Sequence, residues 1–218
     1  MSVLEDIARW GPVTDALLAR LRERERRTHA RQGSTVRNYV VDLTRVGLIR
    51  SLPRFRRDAS ARLVTAQGQV FLGATPTESN APRTDPLALD RLLSLDVALN
   101  VAKPEHRVMV QRDVLEAPDF IDLFTQKPMT LLMQSAAGGT WRWVPDVVIG
   151  AGTDLWAVAA YVPGTETAKR HTIAQVLAQG NYSRFIVTTR SAHIASKIRD
   201  SLFQTPAAGR VDVELIFE

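Results

Sequence analysis

The stretch that decides the fold is residues 129–164, MTLLMQSAAGGTWRWVPDVVIGAGTDLWAVAAYVPG. MTLLMQS (129–135) is apolar enough for a strand, Gly138-Gly139 supplies a turn, and TWRWVPDVVIG (140–150) reads as a second strand. A turn from Gly150 to Asp154 leads to LWAVAAYV (155–162), a third. After it TETAKRHTIAQVLAQG (165–180) predicts a helix capped by Thr165 and ended by Gly180. SRFIVTT (183–189) is a fourth strand, followed by a helix over 191–204 and a last short run, VDVELIF (211–217). Three strands in a meander and a helical crossover to a fourth predict an α/β fold, a mixed central sheet flanked by helices.

Upstream of this block, PEHRVMVQRDVLEA (104–117) predicts a helix opened by Pro104 and stopped by Pro118, and LALDRLLSLDVAL (87–99) predicts another with a broad apolar face. TPTESNAPRTDP (75–86), rich in proline, serine and threonine, is the candidate boundary. The expected organisation is an N-terminal basic helix and hairpin module over 1–75, a linker over 76–86 and an α/β domain over 87–218.

Within the N-terminal module, MSVLEDIARW predicts a short helix, Gly11-Pro12 breaks it, and Thr14 or Asp15 caps a second helix that buries Leu17, Leu18 and Leu21. That helix becomes almost wholly charged, with Arg20, Arg22, Arg24, Arg26, Arg27 and Arg31 around Glu23 and Glu25. Its charges suit either ion pairs along a solvated face or a phosphate-binding arm. NYVVDLTRVGLI (38–49) fits a strand or a short buried helix, and ARLVTAQGQVFLGAT (61–75) reads as a hairpin turning near Gln67-Gly68. Between them SLPRFRRDASAR (51–62) gathers Arg54, Arg56, Arg57 and Arg62 around Phe55, the most basic stretch of the chain and the candidate nucleic-acid contact.

The 218 residues carry 28 Lys and Arg against 23 Asp and Glu, a net charge of +5, a balance that favours polyanionic partners. With no cysteine, disulfides, thiolate metal sites and a cysteine nucleophile are excluded, and a cytoplasmic location is the expectation. No run approaches the length of a membrane span, so no membrane partner is expected. Phosphate-cradling glycine loops and the GxSxG elbow are absent, and His29, His106, His171 and His193 are too scattered for a zinc site. Trp141 and Trp143 alternate on one strand and so share a sheet face.

One ordered set remains: Glu105, then Gln126-Lys127-Pro128, then Pro145-Asp146 and the strand after it. With its flanking elements, over about residues 100–190, this set resembles the core of the TnsA-like transposon end-cleaving endonucleases, members of the restriction-endonuclease-like superfamily with the PD-(D/E)xK motif. The resemblance implies a restriction-endonuclease-like core and a DNA partner, with other protein subunits of a transposition complex. It also implies Mg²⁺ held by Asp146 and Glu105, with Gln126 beside the site and Lys127 near DNA. Such a cation would polarise the phosphate and activate a water, so carboxylates must converge on one point.

The chain departs from the family where the third strand should carry Glu-x-Lys before proline. It reads Val158-Ala159-Ala160-Tyr161-Val162-Pro163, with Ala159 in place of the acid and Tyr161 in place of the lysine. Lys169, on the following helix, is the one stand-in for that lysine. The expectation is a nuclease-fold, DNA-binding subunit of a transposition or mobile-element complex with phosphodiester hydrolysis weakened or lost. Two alternatives stand beside it: an active Mg²⁺-dependent DNA endonuclease using Asp146 and Glu105, and a non-catalytic protein-interaction module.

Overall fold

Ser2 opens the first helix by a capping box: its hydroxyl accepts the Glu5 amide at 3.2 Å while the Glu5 carboxylate accepts the Ser2 amide at 2.5 Å. The computed structural model describes residues 2–26, 33–56, 59–73, 85–134, 138–160, 173–189, 191–202 and 208–215. The chain forms two units that divide between Leu92 and Leu93, inside a single helix.

The first unit runs α1 (Val3–Trp10), β1 (Val13–Thr14), α2 (Asp15–Arg26), α3 (Gly33–Arg45), β2 (Ile49–Arg56), β3 (Ala59–Val64) and α4 (Ala66–Phe71). Its antiparallel sheet has the strand order β1-β3-β2. Thr14 caps α2 by accepting the Leu17 amide at 3.1 Å, and Leu17, Leu18 and Leu21 are buried as their spacing requires.

For this unit one open reading is resolved and one expectation is corrected. Residues 38–45, which fitted a strand or a helix, complete α3, because Val36 and Val40 repeat at helical spacing and both are buried; the strand begins only at Ile49. The hairpin expected to turn at Gln67-Gly68 is instead β3 followed by α4. Thr65 decides this: its hydroxyl accepts the Gly68 amide at 3.1 Å, and its own amide donates to the Leu48 carbonyl at 3.0 Å. Gly68 then packs so close that a Cβ would stand 2.2 Å from that carbonyl oxygen, which only glycine permits.

The second unit is α/β. α5 (Asp85–Val101) enters it at Leu93 and leads to β4 (Arg107–Val110), α6 (Gln111–Glu116), a 3-10 turn (Pro118–Phe120), the hairpin β5 (Leu131–Gln134) and β6 (Thr140–Trp143), then β7 (Val147–Ala151) and β8 (Asp154–Ala160). A helix over 173–178, α7, precedes β9 (Arg184–Thr189), α8 (Ala192–Leu202) and β10 (Val211–Leu215). The main sheet has five strands in the order β10-β9-β8-β7-β4; β4, β7 and β8 are antiparallel, and β8, β9 and β10 are parallel.

The mixed sheet flanked by helices is as expected, but the first strand of its meander is not. The helix expected from Pro104 is a turn, then β4, then the short α6, because Val108 and Val110 alternate inward against β7. Leu131–Gln134 of the MTLLMQS run and Thr140–Trp143 pair with each other as a separate two-stranded ladder, β5-β6. Pro145, which cannot donate to a ladder, lies between β6 and β7 and ends the run expected to be one strand.

One face of the main sheet packs its Val148, Ala157, Ala159, Phe185 and Val187 with Ile173, Val176, Ala195 and Ile198 of α7 and α8. Trp143 joins this core, its ring 5.7 Å from that of Phe185, while Trp141 on the same hairpin face stays 46% exposed. Tyr182 is also buried there and donates its hydroxyl to the Met129 carbonyl; burial pushes its phenol pKa up.

Candidate functional site

Asp146 stands immediately before β7, and the strands around it fix its surroundings. The register Val147↔Val158 brings it alongside the C-terminal end of β8, and its carbonyl accepts the Gln111 amide, at the end of β4, at 3.2 Å. One carboxylate oxygen accepts two donors: the Ala160 amide at 2.8 Å and the Ser94 hydroxyl of α5 at 2.9 Å. Ser94 is fully buried and lies 3.3 Å from the hydroxyl of Thr188, itself fully buried near the end of β9.

Parallel strands β8 and β9 both point their carboxyl ends at this spot, and α8 begins just beyond, with Ser191 accepting the Ile194 amide at 3.3 Å. The crevice outside the carboxyl ends of parallel strands is where open α/β sheets hold ligands. Asp146 is half-buried, and the donors that orient its carboxylate, Ser94 and Ala160, are buried.

The other end of the same sheet carries a second polar group of residues. Arg107 opposes Gly150 across the β4–β7 ladder and gives two hydrogen bonds to Asp122, one of them at 2.8 Å. Burial alone would raise the Asp122 pKa, but the Arg107 guanidinium and the Thr125 amide, 2.8 Å away, outweigh it and lower it to about 2. The guanidinium also lies 4.0 Å from the centre of the exposed Phe124 ring. Gln126 folds back with a positive φ of 56° and donates to the Leu123 carbonyl, while Lys127 pairs with Asp154 at 3.4 Å.

The expected set is therefore divided between the two sheet ends. Glu105 is exposed in the turn before Arg107, on the Gly150 side, and Lys127 lies with Asp154 on that same side. Gly150, opposite Arg107, is four residues from Asp146 along β7, about 13 Å, and Glu105 stands two residues beyond Arg107 in the turn. Glu105 and Asp146 cannot ligate one cation across that distance, and Lys127 belongs to the far end.

Ala159 needs a related correction. Ala159 pairs with Val187 and belongs to the apolar core, whereas Ala160 pairs with Thr188, on the face where Ser94 and the Asp146 carboxylate meet. The strand position beside Asp146 is thus Ala160, and neither parity of the sequence supplies an acid. Among the described residues no three His, Cys, Asp or Glu side chains cluster to hold a metal ion. One carboxylate with an oxygen already accepting two donors does not fit the oxygen cage that Mg²⁺ requires.

Of the arginines expected at nucleic acid, Arg62 is engaged inside its own unit, bonding Ser51 and, at 3.4 Å, Asp15. The backbones of Arg54 and Arg56 fall in β2, and their side chains lie outside what the structure describes. Arg57 and Lys169 lie outside the described residues, as does Tyr161. Ser94 and Thr188 were not anticipated, although a serine inside the apolar run LLSLDVAL is the signal that could have found the first.

Comparison with known proteins adds no assignment: no family model matches the chain, no curated protein is similar to it, and no solved structure matches its fold. Among the described residues no helix is long and apolar enough to cross a membrane.

Proposed function

We propose that the chain is a DNA-binding subunit with a restriction-endonuclease-like second unit that has given up phosphodiester hydrolysis, and that it works beside other subunits of a transposition-type complex. The observation that carries this reading is the setting of Asp146. A helix, an antiparallel meander and a parallel crossover bring a single carboxylate to the carboxyl ends of β8 and β9. On the resemblance to the nuclease motif, Asp146 is that motif's aspartate and a second acid would be sought at Ala160, which pairs with Thr188.

Without that acid, nothing on the described strands draws a hard cation to a phosphate or lowers the pKa of a water. What the second unit retains is the scaffold, and the basic residues before the linker supply attraction to the DNA backbone. Binding of this kind is strongest at low salt and indifferent to divalent cations.

Incubation of supercoiled plasmid with the full chain in Mg²⁺ or Mn²⁺, against EDTA, tests the reading. It expects bound but uncut plasmid in all three. Nicking in either metal, lost in Asp146→Ala, would restore the endonuclease alternative, and absence of binding would remove DNA as the ligand.

A further inference from the structure

The first unit has a topology that its sequence hides. α1, β1, α2, α3, β2 and β3 follow one another, and the two-residue β1 pairs with β3 rather than with β2. α1 and α2 both pack against α3, and the β2–β3 hairpin comes directly after α3. A helix pair backed by a third helix and followed by an antiparallel hairpin is the winged form of the helix-turn-helix, in which the second helix of the pair reads the major groove.

The surface of α3 agrees with that role. Val36 and Val40 are buried, and the other side presents Arg37, Asn38, Val41 and Arg45 to solvent. Arg and Asn are the side chains that pair bidentately with guanine and adenine edges, and an apolar side chain suits the thymine methyl group. Val41 is 58% exposed, for which the core of its own unit gives no reason.

Charge points the same way. Residues 1–73 hold 14 arginines and no lysine against seven acids, a net +7, whereas residues 74–218 hold 14 cations against 16 acids. The positive excess of the chain thus resides in this unit. Several of its arginines are used internally: Arg22 pairs with Asp6 at 2.6 Å, Arg9 with Glu25 at 2.5 Å, and Arg62 with Asp15. Arg37 on α3 and Arg54 and Arg56 on β2, which leads to the hairpin tip, are the positions a duplex would meet in this topology.

We propose that the first unit is a winged helix-turn-helix that binds duplex DNA, with α3 in the major groove and the β2–β3 hairpin on the flanking phosphates. This shares its ligand with the preceding proposal but rests on a different unit, so the two can fail separately.

The test is fluorescence anisotropy of the full chain with a labelled random-sequence duplex about two helical turns long, over a series of salt concentrations. Arg37→Ala is expected to weaken binding several-fold at every salt concentration, and the Arg54→Ala/Arg56→Ala pair to reduce the log–log salt slope by about 1.8. Arg37→Lys should restore part of the affinity, and Arg210→Ala, an exposed arginine of the second unit, should leave affinity and slope unchanged. Methylation of guanine N7, which fills the major groove, should weaken binding by the wild-type chain.

The proposal is overturned if the wild type fails to bind at low salt, if Arg37→Ala binds as the wild type does, or if Arg210→Ala weakens binding equally. A chain that ignores N7 methylation would likewise overturn the placement of α3. Asp146→Ala should not alter this binding, whatever it does to plasmid.

Discussion

Acidification should unlock the far end of the sheet in a way that one residue controls. Asp122 is only 2% exposed in its side chain, and its pKa is lowered from 3.8 to about 2, so its charged form is favoured in the folded state. A carboxylate with a depressed folded-state pKa contributes stability that is complete above the unfolded value and disappears as pH falls through the folded one. At about 1.4 kcal/mol per pH unit of difference, the contribution is about 2 kcal/mol at neutral pH, roughly half that at pH 3, and nearly gone below pH 2.

Urea unfolding of the wild type and Asp122→Asn, at several pH values from about 7 down to 2.5, isolates the effect, because the other carboxylates titrate in both proteins. The stability gap between them should narrow by about 1 kcal/mol or more between pH 5 and pH 3. A gap that stays constant over that range would show that Asp122 is not held by Arg107, and the account of the loop over 121–128 would fall with it.

Other substitutions test other joints of the fold. Tyr182→Phe removes the donor to the Met129 carbonyl and leaves a buried acceptor unpaired, so it should cost about 1–3 kcal/mol in chemical denaturation; a neutral result would place that carbonyl in water. Gly150→Val puts a side chain where the Arg107 guanidinium already lies 2.6 Å from a Cβ position, and Asp122 prevents it from moving aside. A loss of about 1–3 kcal/mol is expected, smaller in an Asp122→Asn background. Ala160→Asp sets a second carboxylate beside Asp146: thermal stability should fall at pH 7 and partly recover with Mn²⁺. A variant indifferent to Mn²⁺ would contradict the placement of Ala160 at that site.

The sequence was legible where one residue type enforces one geometry. The Gly11-Pro12 break and the Leu17, Leu18, Leu21 spacing each have one reading, and α1 and α2 follow it. The strands β8 and β9 are apolar runs buried on both faces of a parallel pair, and they too stand as expected.

What could not be read depended on partners distant in sequence. β4 is four residues long and exists because β7 accepts it, while the residues that follow it are helix formers. The β-branched pair Val40-Val41 favours a strand locally, yet burial of one against α1 and α2 makes it helical. β1 is two residues long, too short to leave a pattern, and so the strand order of the first unit had no sequence signature. Asp146 was singled out by its Pro-Asp pair, but the residues around it, Ser94, Ala160 and Thr188, come together from three separate elements, and Glu105, singled out with it, lies toward the other end of the sheet.

The most direct test of the account combines binding and cleavage in one titration of a fluorescent duplex, with Mg²⁺ or Mn²⁺ against EDTA, for the wild type, Asp146→Ala and Arg37→Ala. The account predicts salt-sensitive binding by the wild type and Asp146→Ala alike, weaker binding by Arg37→Ala, and intact DNA throughout. Metal-dependent cleavage by the wild type that disappears in Asp146→Ala would contradict it.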